Sequence, residues 1–264
     1  MGEGKLITRR GFVGLGIVSA GSLLMGSTFV ACAPNPNILR VGTKIDVPKF
    51  GYQDPETGRI EGFEVDVAHE LAKRLKGDPD KLEVTGVNVS TRGVMLDNNT
   101  LDAALATFTI TEARKKSYNF SQPYFTDYIG ILVKKDSGIK ELSDLDGKVI
   151  GVAVSATTRE KLGSAGDEIG ITMEFAEYAT YPEIKIALVT GRVDAFSVDR
   201  SILMGYQDDS TMFLDVQLAP QDYGVACKKD NTELAQQIDT AIGDMKTDGT
   251  LAALEKTWGL TQYV

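Results

Sequence analysis

Short apolar runs alternate with stretches of helical periodicity from Ile38 onward. The runs predict β-strands at residues 38–41, 82–89, 103–106, 149–154 and 193–198. The segments 129–133 and 223–227 are also strand-like, and we interpret them as crossings between two lobes. Because strands alternate with helices along the chain, the pattern predicts an α/β fold.

Amphipathic helices are predicted where apolar residues recur every three or four positions. One such stripe follows residues 61–63, and His69 lies on its opposite face, where a solvent-exposed histidine is expected. Two further stripes lie near the end of the chain, and Trp258 in the last one is expected to anchor packing. The stripes comprise Val67, Leu71 and Leu75; Leu234, Ile238, Ala241, Ile242 and Met245; and Leu251, Leu254 and Trp258.

A weak internal repeat accompanies this pattern. Leu101-Asp102-Ala103 and Val193-Asp194-Ala195 each lead into a predicted strand. The similarity suggests that the chain contains two related lobes.

The N-terminal segment is typical of an export signal. Its basic residues Lys5, Arg9 and Arg10 are followed by an uncharged stretch from residue 11 to residue 39. The run 8–13 resembles a twin-arginine export motif. We therefore expect residues 1–31 to be a cleaved signal peptide.

A lipid anchor is predicted at Cys32. The sequence Phe29-Val30-Ala31-Cys32 resembles a lipobox, whose cysteine becomes the lipidated first residue of the mature protein. Residues 32–37 would then form a linker, and the mature protein would be extracytoplasmic and tethered to the cell membrane. Two alternatives stay open: an uncleaved anchor helix, since the uncharged stretch is long enough to cross a bilayer, and a free secreted or periplasmic protein.

Composition narrows the classes of function. The chain of 264 residues carries a formal net charge of −9, which argues against a nucleic-acid binder with a basic face. One histidine and two cysteines exclude a zinc centre built on those residues, and no metal or cofactor is expected. The same scarcity disfavours catalytic triads that contain a histidine. Lipidation of Cys32 would leave Cys227 without a disulfide partner.

Candidate binding residues follow the carboxyl ends of the predicted strands, where open α/β sheets bind their ligands. They are Lys44, Arg92, Thr107 and Thr109 with Arg114, Thr157 with Thr158, and Asp199.

Helix-start signals coincide with some of these candidates. The pairs with capping-box spacing are Thr109 and Glu112, Thr157 and Glu160, and Thr180 and Glu183. Free N–H groups at a helix start also bind anions. The alternative is that the threonines only cap helices and that the basic residues are solvent-exposed.

The charges of the candidates predict the groups of the ligand. Arg114 could hold one carboxylate with two hydrogen bonds, Arg92 and Lys44 could hold a second, and Asp199 could bind an ammonium. Two carboxylates and one ammonium describe an acidic amino acid.

Six motifs in this order resemble those of the extracellular solute-binding proteins that serve polar amino acid ABC importers. They are VGT at 41–43, EGFEVDVA at 61–68, ATFTITEAR at 106–114, NFSQPY at 119–124, DLDGK at 144–148 and KTDGTL at 246–251. The resemblance implies a two-lobe periplasmic-binding-protein-like fold of type II, with a ligand cleft between the lobes and a two-strand hinge near 126–129 and 219–225. Lobe 1 would comprise residues 38–125 plus 226–264, and lobe 2 residues 130–218.

Five further motifs resemble the aspartate- and glutamate-binding branch of that family. They are KIDVP at 44–48, FGY at 50–52, TRG at 91–93, VAVSATT at 152–158 and SVDRSILMGY at 197–206. The branch implies that Arg114 and Thr109 bind the α-carboxylate with help from the helix start at 157–158. It also implies that Asp199 binds the α-ammonium, and that Lys44 and Arg92 meet the side-chain carboxylate. Tyr181 stands where the branch has a pocket tyrosine.

The expected function is therefore acidic amino acid binding by hinge closure, without covalent chemistry. A membrane permease of the ABC type is the expected protein partner, nucleic acid is not, and the protein is expected to be a monomer. The alternatives are another polar amino acid such as glutamine, a dehydratase of prephenate-like acids on the same fold, and a ligand-sensing module.

Overall fold

Fourteen strands and eight α-helices are found in residues 35–261, the part of the chain that the computed structural model describes. The strands are β1 (Leu39–Lys44), β2 (Asp46–Val47), β3 (Gly51–Gln53), β4 (Ile60–Glu61), β5 (Leu82–Val87), β6 (Ala103–Leu105), β7 (Tyr118–Phe120), β8 (Phe125–Lys134), β9 (Val149–Ala153), β10 (Glu174–Tyr178), β11 (Ala195–Asp199), β12 (Thr211–Phe213), β13 (Leu218–Tyr223) and β14 (Ala226–Lys228). The helices are α1 (Phe63–Lys76), α2 (Arg92–Asp97), α3 (Glu112–Lys115), α4 (Thr158–Ile169), α5 (Tyr181–Val189), α6 (Arg200–Met204), α7 (Thr232–Thr247) and α8 (Thr250–Thr257), with a 3-10 turn at Leu142–Leu145.

Two larger sheets form the centres of two lobes, which confirms the predicted α/β two-lobe fold. The first sheet has the order β5-β1-β6-β14-β7, and the second has the order β10-β9-β11-β8-β12, with β13 also paired to β8. In each sheet the first three strands are parallel, and the strands beyond them run antiparallel to their neighbours. A small sheet of β2, β3 and β4, which the sequence analysis did not predict, follows β1.

The chain passes between the two sheets twice, and one predicted crossing was misplaced. Residues 129–133 lie inside β8 and pair with β11 of the second sheet. Residues 223–227 are divided between the end of β13 and β14. Residues 125–129 and 218–223 form the antiparallel pair of β8 and β13 that connects the lobes.

The internal repeat has a structural counterpart in both lobes. Asp102, just before β6, accepts a hydrogen bond from the backbone N–H of Arg40 at 2.9 Å and donates its own N–H to the carbonyl of Arg40. Asp194, just before β11, makes the same two bonds with Val149. Each aspartate therefore fixes the register of a parallel strand pair at the amino-terminal end of its strands.

Helix α1 shows why the EGFEVDVA motif folds as it does. A Cβ atom on Gly62 would lie 2.2 Å from the carbonyl oxygen of Phe50, so only glycine lets these backbones approach. The helix ends at Gly77, whose φ of 77° provides a left-handed cap. His69 is partly exposed with its ring 2.9 Å from the Pro79 carbonyl, as expected for a surface histidine.

The predicted stripe on α7 is buried against the first lobe, and Trp258 packs against the same core. The indole nitrogen of Trp258 donates to Asp66 on α1 at 2.7 Å, which confirms its role as a packing anchor.

Within residues 35–261, no helix has the length and apolar character needed to cross a bilayer. The predicted signal peptide, Cys32 and the first residues of the linker lie outside the described residues.

Burial predicts that Ile238→Ala lowers the free energy of unfolding by about 2–5 kcal/mol, because Ile238 is fully buried and the truncation leaves a cavity. Ile186→Ala on α5 is the matched control, since Ile186 is 51% exposed and its truncation is expected to change stability by less than about 0.5 kcal/mol. Urea denaturation of both variants measures the difference. Equal losses would contradict the assignment of the α7 stripe to the core.

Candidate functional site

The structure places the predicted residues where the two sheets face each other. Lys44 ends β1, and Arg92, Thr158 and Tyr181 are the first residues of helices α2, α4 and α5. Asp199 ends β11. These five side chains come from both lobes and are buried, so Lys44 and Arg92 are not solvent-exposed as the alternative required.

Two arginines of the first lobe lie on one aromatic ring. The guanidinium carbons of Arg92 and Arg114 are 4.0 and 4.8 Å from the centre of the Phe108 ring. Arg92 donates to the carbonyls of Ala106 and Thr107 at 2.5 and 3.0 Å, and Arg114 donates to the Thr109 carbonyl at 2.7 Å. Among residues 35–261, neither arginine has a carboxylate within 4 Å.

Burial opposes the charge of these arginines. It lowers the pKa of both Arg92 and Arg114, and for Arg114 the neighbouring Arg92 cation adds to the effect. A guanidinium nevertheless stays protonated in proteins. Arg92 and Arg114 therefore place two positive charges close together without a carboxylate from the described residues beside them. Such a pair is suited to bind carboxylates.

Lys44 is the third cation of the site, is fully buried, and has an anionic neighbour. Its Nζ lies 2.8 Å from Oδ1 of Asp46 and 4.6 Å from the centre of the Tyr181 ring in the other lobe. The ammonium and the carboxylate therefore form a buried ion pair. Burial lowers the pKa of Lys44 to about 8, although Asp46 favours the charged form.

The loop after β6 is held by a glutamate that the sequence analysis did not single out. Glu64 is completely buried, and its Oε1 accepts the backbone N–H of Thr107 at 2.6 Å and the hydroxyl of Tyr124 at 2.5 Å. Thr107 has a φ of 45°, which a non-glycine residue rarely adopts, and the bond from its N–H to Glu64 supports this conformation. An acidic residue between the buried Phe63 and Val65 is the signal that could have identified Glu64.

Asp199 of the second lobe is part of a hydrogen-bonded group that the sequence did not reveal. Its Oδ2 accepts the hydroxyl of Tyr223 at 2.5 Å, and the same hydroxyl lies 3.3 Å from Oδ2 of Asp127. Burial and the charge of Asp127 raise the pKa of Asp199 to about 7. No basic side chain among the described residues lies within 4 Å of the Asp199 carboxylate.

The helix starts differ in part from the predicted capping boxes. Thr180 and Glu183 form a capping box, as predicted. Thr109 does not cap α3, because Thr111 occupies that position and Thr109 pairs with Tyr223 in a β-bridge. The Thr157 side chain does not cap α4 and instead donates to Gln221 at 2.6 Å.

Direct contacts join the lobes around this group of residues. Arg114 donates to the carbonyl of Ser155 at 2.7 Å, and the Tyr206 hydroxyl donates to the backbone carbonyl of Asp46. Cavities of about 560 and 260 Å³ lie beside Arg114 and Ser155, and Thr109 and Thr157 line the larger one. The cleft between the lobes is therefore closed around the candidate residues.

Buried polar atoms without a hydrogen-bond partner are concentrated in this region. Among residues 35–261 they are the hydroxyls of Thr43, Thr107 and Thr158, Nε of Arg92 and Oε2 of Glu64, and the Lys44–Asp46 ion pair has no hydrogen bond to a third group. Because almost all buried polar groups in proteins are paired, such a cluster is typical of a site that binds a polar ligand. No cluster of metal-ligating side chains is found in the part of the chain that the structure describes.

Comparisons with known proteins identify similar sequences and structures. The family model of the bacterial extracellular solute-binding proteins, family 3, matches residues 39–261. The ABC transporter glutamine-binding protein GlnH of Bacillus subtilis is 37% identical over 88% of this chain and 84% of that protein. The glutamate-binding protein GluB of Corynebacterium glutamicum is 30% identical over 95% of this chain and 88% of that protein.

A solved structure of an ancestral arginine-binding protein bound to glutamine is similar in fold. The TM-score is 0.75 with 32% sequence identity, and the match covers 85% of this chain and 98% of that chain. The solute receptor for L-cysteine of Neisseria gonorrhoeae matches with a TM-score of 0.74, 26% identity, and coverage of 84% of this chain and 89% of that chain.

Proposed function

Because the chain belongs to the bacterial extracellular solute-binding proteins, family 3, we propose that it binds one acidic amino acid, aspartate or glutamate, for an ABC importer. One observation supports this ligand above others. Among the described residues, the buried Arg92 and the partly buried Arg114 have no carboxylate partner, and the buried carboxylate of Asp199 has no basic partner. An amino acid with two carboxylates and one ammonium would compensate all three charges.

The charges can be assigned to the groups of such a ligand. Arg114 would bind the α-carboxylate together with Thr109 and the start of α4 at Thr157 and Thr158, where N–H groups favour an anion. Asp199 would bind the α-ammonium.

The side-chain carboxylate of the ligand would lie at the remaining candidates. Arg92 and Lys44 would bind this group, and the Thr107 hydroxyl, which has no partner among the described residues, would donate to it. Tyr181, whose ring contacts Lys44, would form the wall of the pocket in the second lobe.

Glutamine is a second candidate ligand because of the Lys44–Asp46 pair. An ammonium and a carboxylate 2.8 Å apart present a donor beside an acceptor, which matches the oxygen and nitrogen of a carboxamide. The similarity to GlnH of Bacillus subtilis also favours this candidate. The two proposals differ in whether Asp46 or Arg92 decides the side-chain preference.

An enzyme on the same fold would need a general acid with a pKa near neutrality. Asp199 satisfies that condition, since burial and Asp127 raise its pKa to about 7. We favour binding without chemistry because an ammonium beside Asp199 would ionise it, and because the similar proteins are described as binding proteins.

Calorimetry with L-glutamate, L-aspartate, L-glutamine and L-asparagine tests the ligand proposal. We expect the acids to bind more tightly than their amides by thirtyfold to several thousandfold, because an unpaired buried charge costs ~2–5 kcal/mol. Arg92→Met should weaken the acids and narrow this ratio, whereas Asp199→Asn should weaken all four ligands. Arg159→Met, at an exposed arginine, is the matched control and should change nothing. Tighter binding of glutamine would support the second candidate, and absence of binding by all four would contradict both.

Hinge closure is the proposed mechanism of ligand capture and release. The pair of β8 and β13 connects the lobes, and hinges of this kind move by changes in a few backbone dihedral angles. The radius of gyration from small-angle scattering should therefore decrease when L-glutamate saturates the wild type. Asp199→Asn at the same glutamate concentration should show no decrease. An unchanged radius in the wild type would contradict closure without contradicting binding.

We propose that Cys32 carries a lipid that tethers the protein to the cell membrane. The protein would be a monomer there and would contact an ABC permease. The signal sequence and the lipobox-like residues 29–32 support this proposal. In detergent phase partition of the expressed precursor, the wild type should enter the detergent phase and Cys32→Ala should not. Cys227→Ala is the matched control, because Cys227 is a buried free thiol, and it should partition like the wild type. Wild type in the aqueous phase would contradict the anchor.

A further inference from the structure

Asp127 is a second buried carboxylate beside the proposed ammonium-binding residue. It lies on β8, one of the two strands that connect the lobes, and it is fully buried. Its carboxylate accepts the backbone N–H of Ser201 at 3.1 Å, the Ser201 hydroxyl, and the backbone N–H of Tyr128 at 2.7 Å. No side chain of the described residues forms an ion pair with Asp127.

The Tyr223 hydroxyl joins Asp127 to Asp199. It lies 2.5 Å from Oδ2 of Asp199 and 3.3 Å from Oδ2 of Asp127, and Tyr223 belongs to β13, the other connecting strand. A phenol carries one hydrogen, so it can donate to only one of the two carboxylates at a time. A proton on either carboxylate supplies the second hydrogen and completes both contacts.

We propose that Asp127 is a positioning residue of the ammonium subsite: it acts on Asp199 through the Tyr223 hydroxyl, and the two carboxylates share one proton that leaves when an amino acid's ammonium binds. The proposal rests on the proposed binding function. The proton passes to the buffer, and the ammonium, which keeps its own protons, replaces it as the positive charge beside Asp199.

The surroundings of Asp199 determine the pH range of this exchange. Burial and Asp127 raise the pKa of Asp199 to about 7, against the hydrogen bond from Tyr223 and the charges of Arg114 on α3 and Arg92 on α2. Burial also raises the pKa of Asp127.

Three other groups around the site keep a constant charge over this range. Tyr181 on α5 faces the site, and burial raises its pKa well above 10, so it stays neutral. Arg200, next to Asp199 in sequence, lies over the Phe213 ring. Lys44 has a pKa of about 8 and is protonated throughout below pH 7.

The sign of the pH dependence follows from this exchange. Below pH 7 the carboxylate pair holds its proton in the free protein and must release it on binding, so affinity falls as pH decreases. One released proton predicts binding about tenfold to twentyfold weaker at pH 5.5 than at pH 7. Free glutamate and glutamine change little in charge over this interval.

Calorimetry at pH 6 in buffers of different ionisation enthalpy counts the released protons, with L-glutamate and L-glutamine as probes. We expect close to one proton to be released per bound ligand, for whichever of the two amino acids binds. Asp127→Asn should reduce the number of released protons towards zero, because Asp199 then ionises at lower pH. It should also flatten the dependence of the binding affinity on pH. Asp209→Asn, at an exposed aspartate, is the matched control and should release the wild-type number.

Tyr223→Phe should move the midpoint of the pH dependence of binding in the direction opposite to Asp127→Asn. It removes the hydrogen bond that favours the ionised form of Asp199, so the midpoint of the pH profile should rise, whereas Asp127→Asn should lower it. A purely structural role for either residue would weaken binding equally at every pH and leave the midpoint unchanged.

Carboxyl ¹³C titration of the ligand-free wild type follows the same proton without any ligand. A residue of the pair that titrates near pH 7 supports the proposal, and ionisation of both carboxylates below pH 5 overturns it. Tight binding with no proton release would also overturn it while leaving the binding function intact. Absence of amino acid binding, with the titration near pH 7 preserved, would instead overturn the binding function and the release step together.

Discussion

Three cations, two buried and one partly buried, lie where the two sheets face each other, and their compensation is the constraint on which the rest of the site depends. A buried cation without compensation is costly, and each of the three is compensated differently. Lys44 has Asp46, Arg92 has two backbone carbonyls, and Arg114 has one carbonyl from each lobe. The unusual backbone of Thr107 follows from this requirement, because the loop must turn its carbonyls towards Arg92 while Glu64 holds its N–H.

The distribution of charge explains how closure and ligand binding can depend on each other. The first lobe supplies Arg92 and Arg114, and the second supplies Asp199, so the cations and the carboxylate that lack an ion-pair partner among the described residues lie on opposite sides of the cleft. A zwitterion between them would be attracted to both lobes at once. Closing the cleft would remove water from around the charged groups and so strengthen both interactions. The direct contacts of Arg114 with Ser155 and of Tyr206 with Asp46 add bonds that exist only when the lobes meet.

The sequence was sufficient for the central strands of both sheets, for helices α1, α7 and α8, and for the positions of the candidates along the chain, because these are local properties. Residues that follow a strand lie at its carboxyl end whatever the rest of the fold does, so Lys44, Arg92 and Asp199 could be placed early. Partners that are distant in sequence could not be found this way: 96 positions separate Asp127 from Tyr223, and 43 separate Glu64 from Thr107. The error at Thr109 has a similar cause, since two threonines two residues apart both offer a cap and only tertiary pairing with Tyr223 selects between them.

The hydrogen-bonded pairing of β8 with β13 has a mechanical consequence. Two strands joined along residues 125–129 and 218–223 resist stretching, because stretching would break their ladder, but they twist and bend at much lower cost. In the proposed hinge motion, the lobes would therefore rotate while the spacing between them at the connection stays fixed. Under that proposal, a ligand longer by one methylene would be accommodated by a change in the angle between the lobes, and a membrane partner that contacts both lobes would meet a different angle for each ligand.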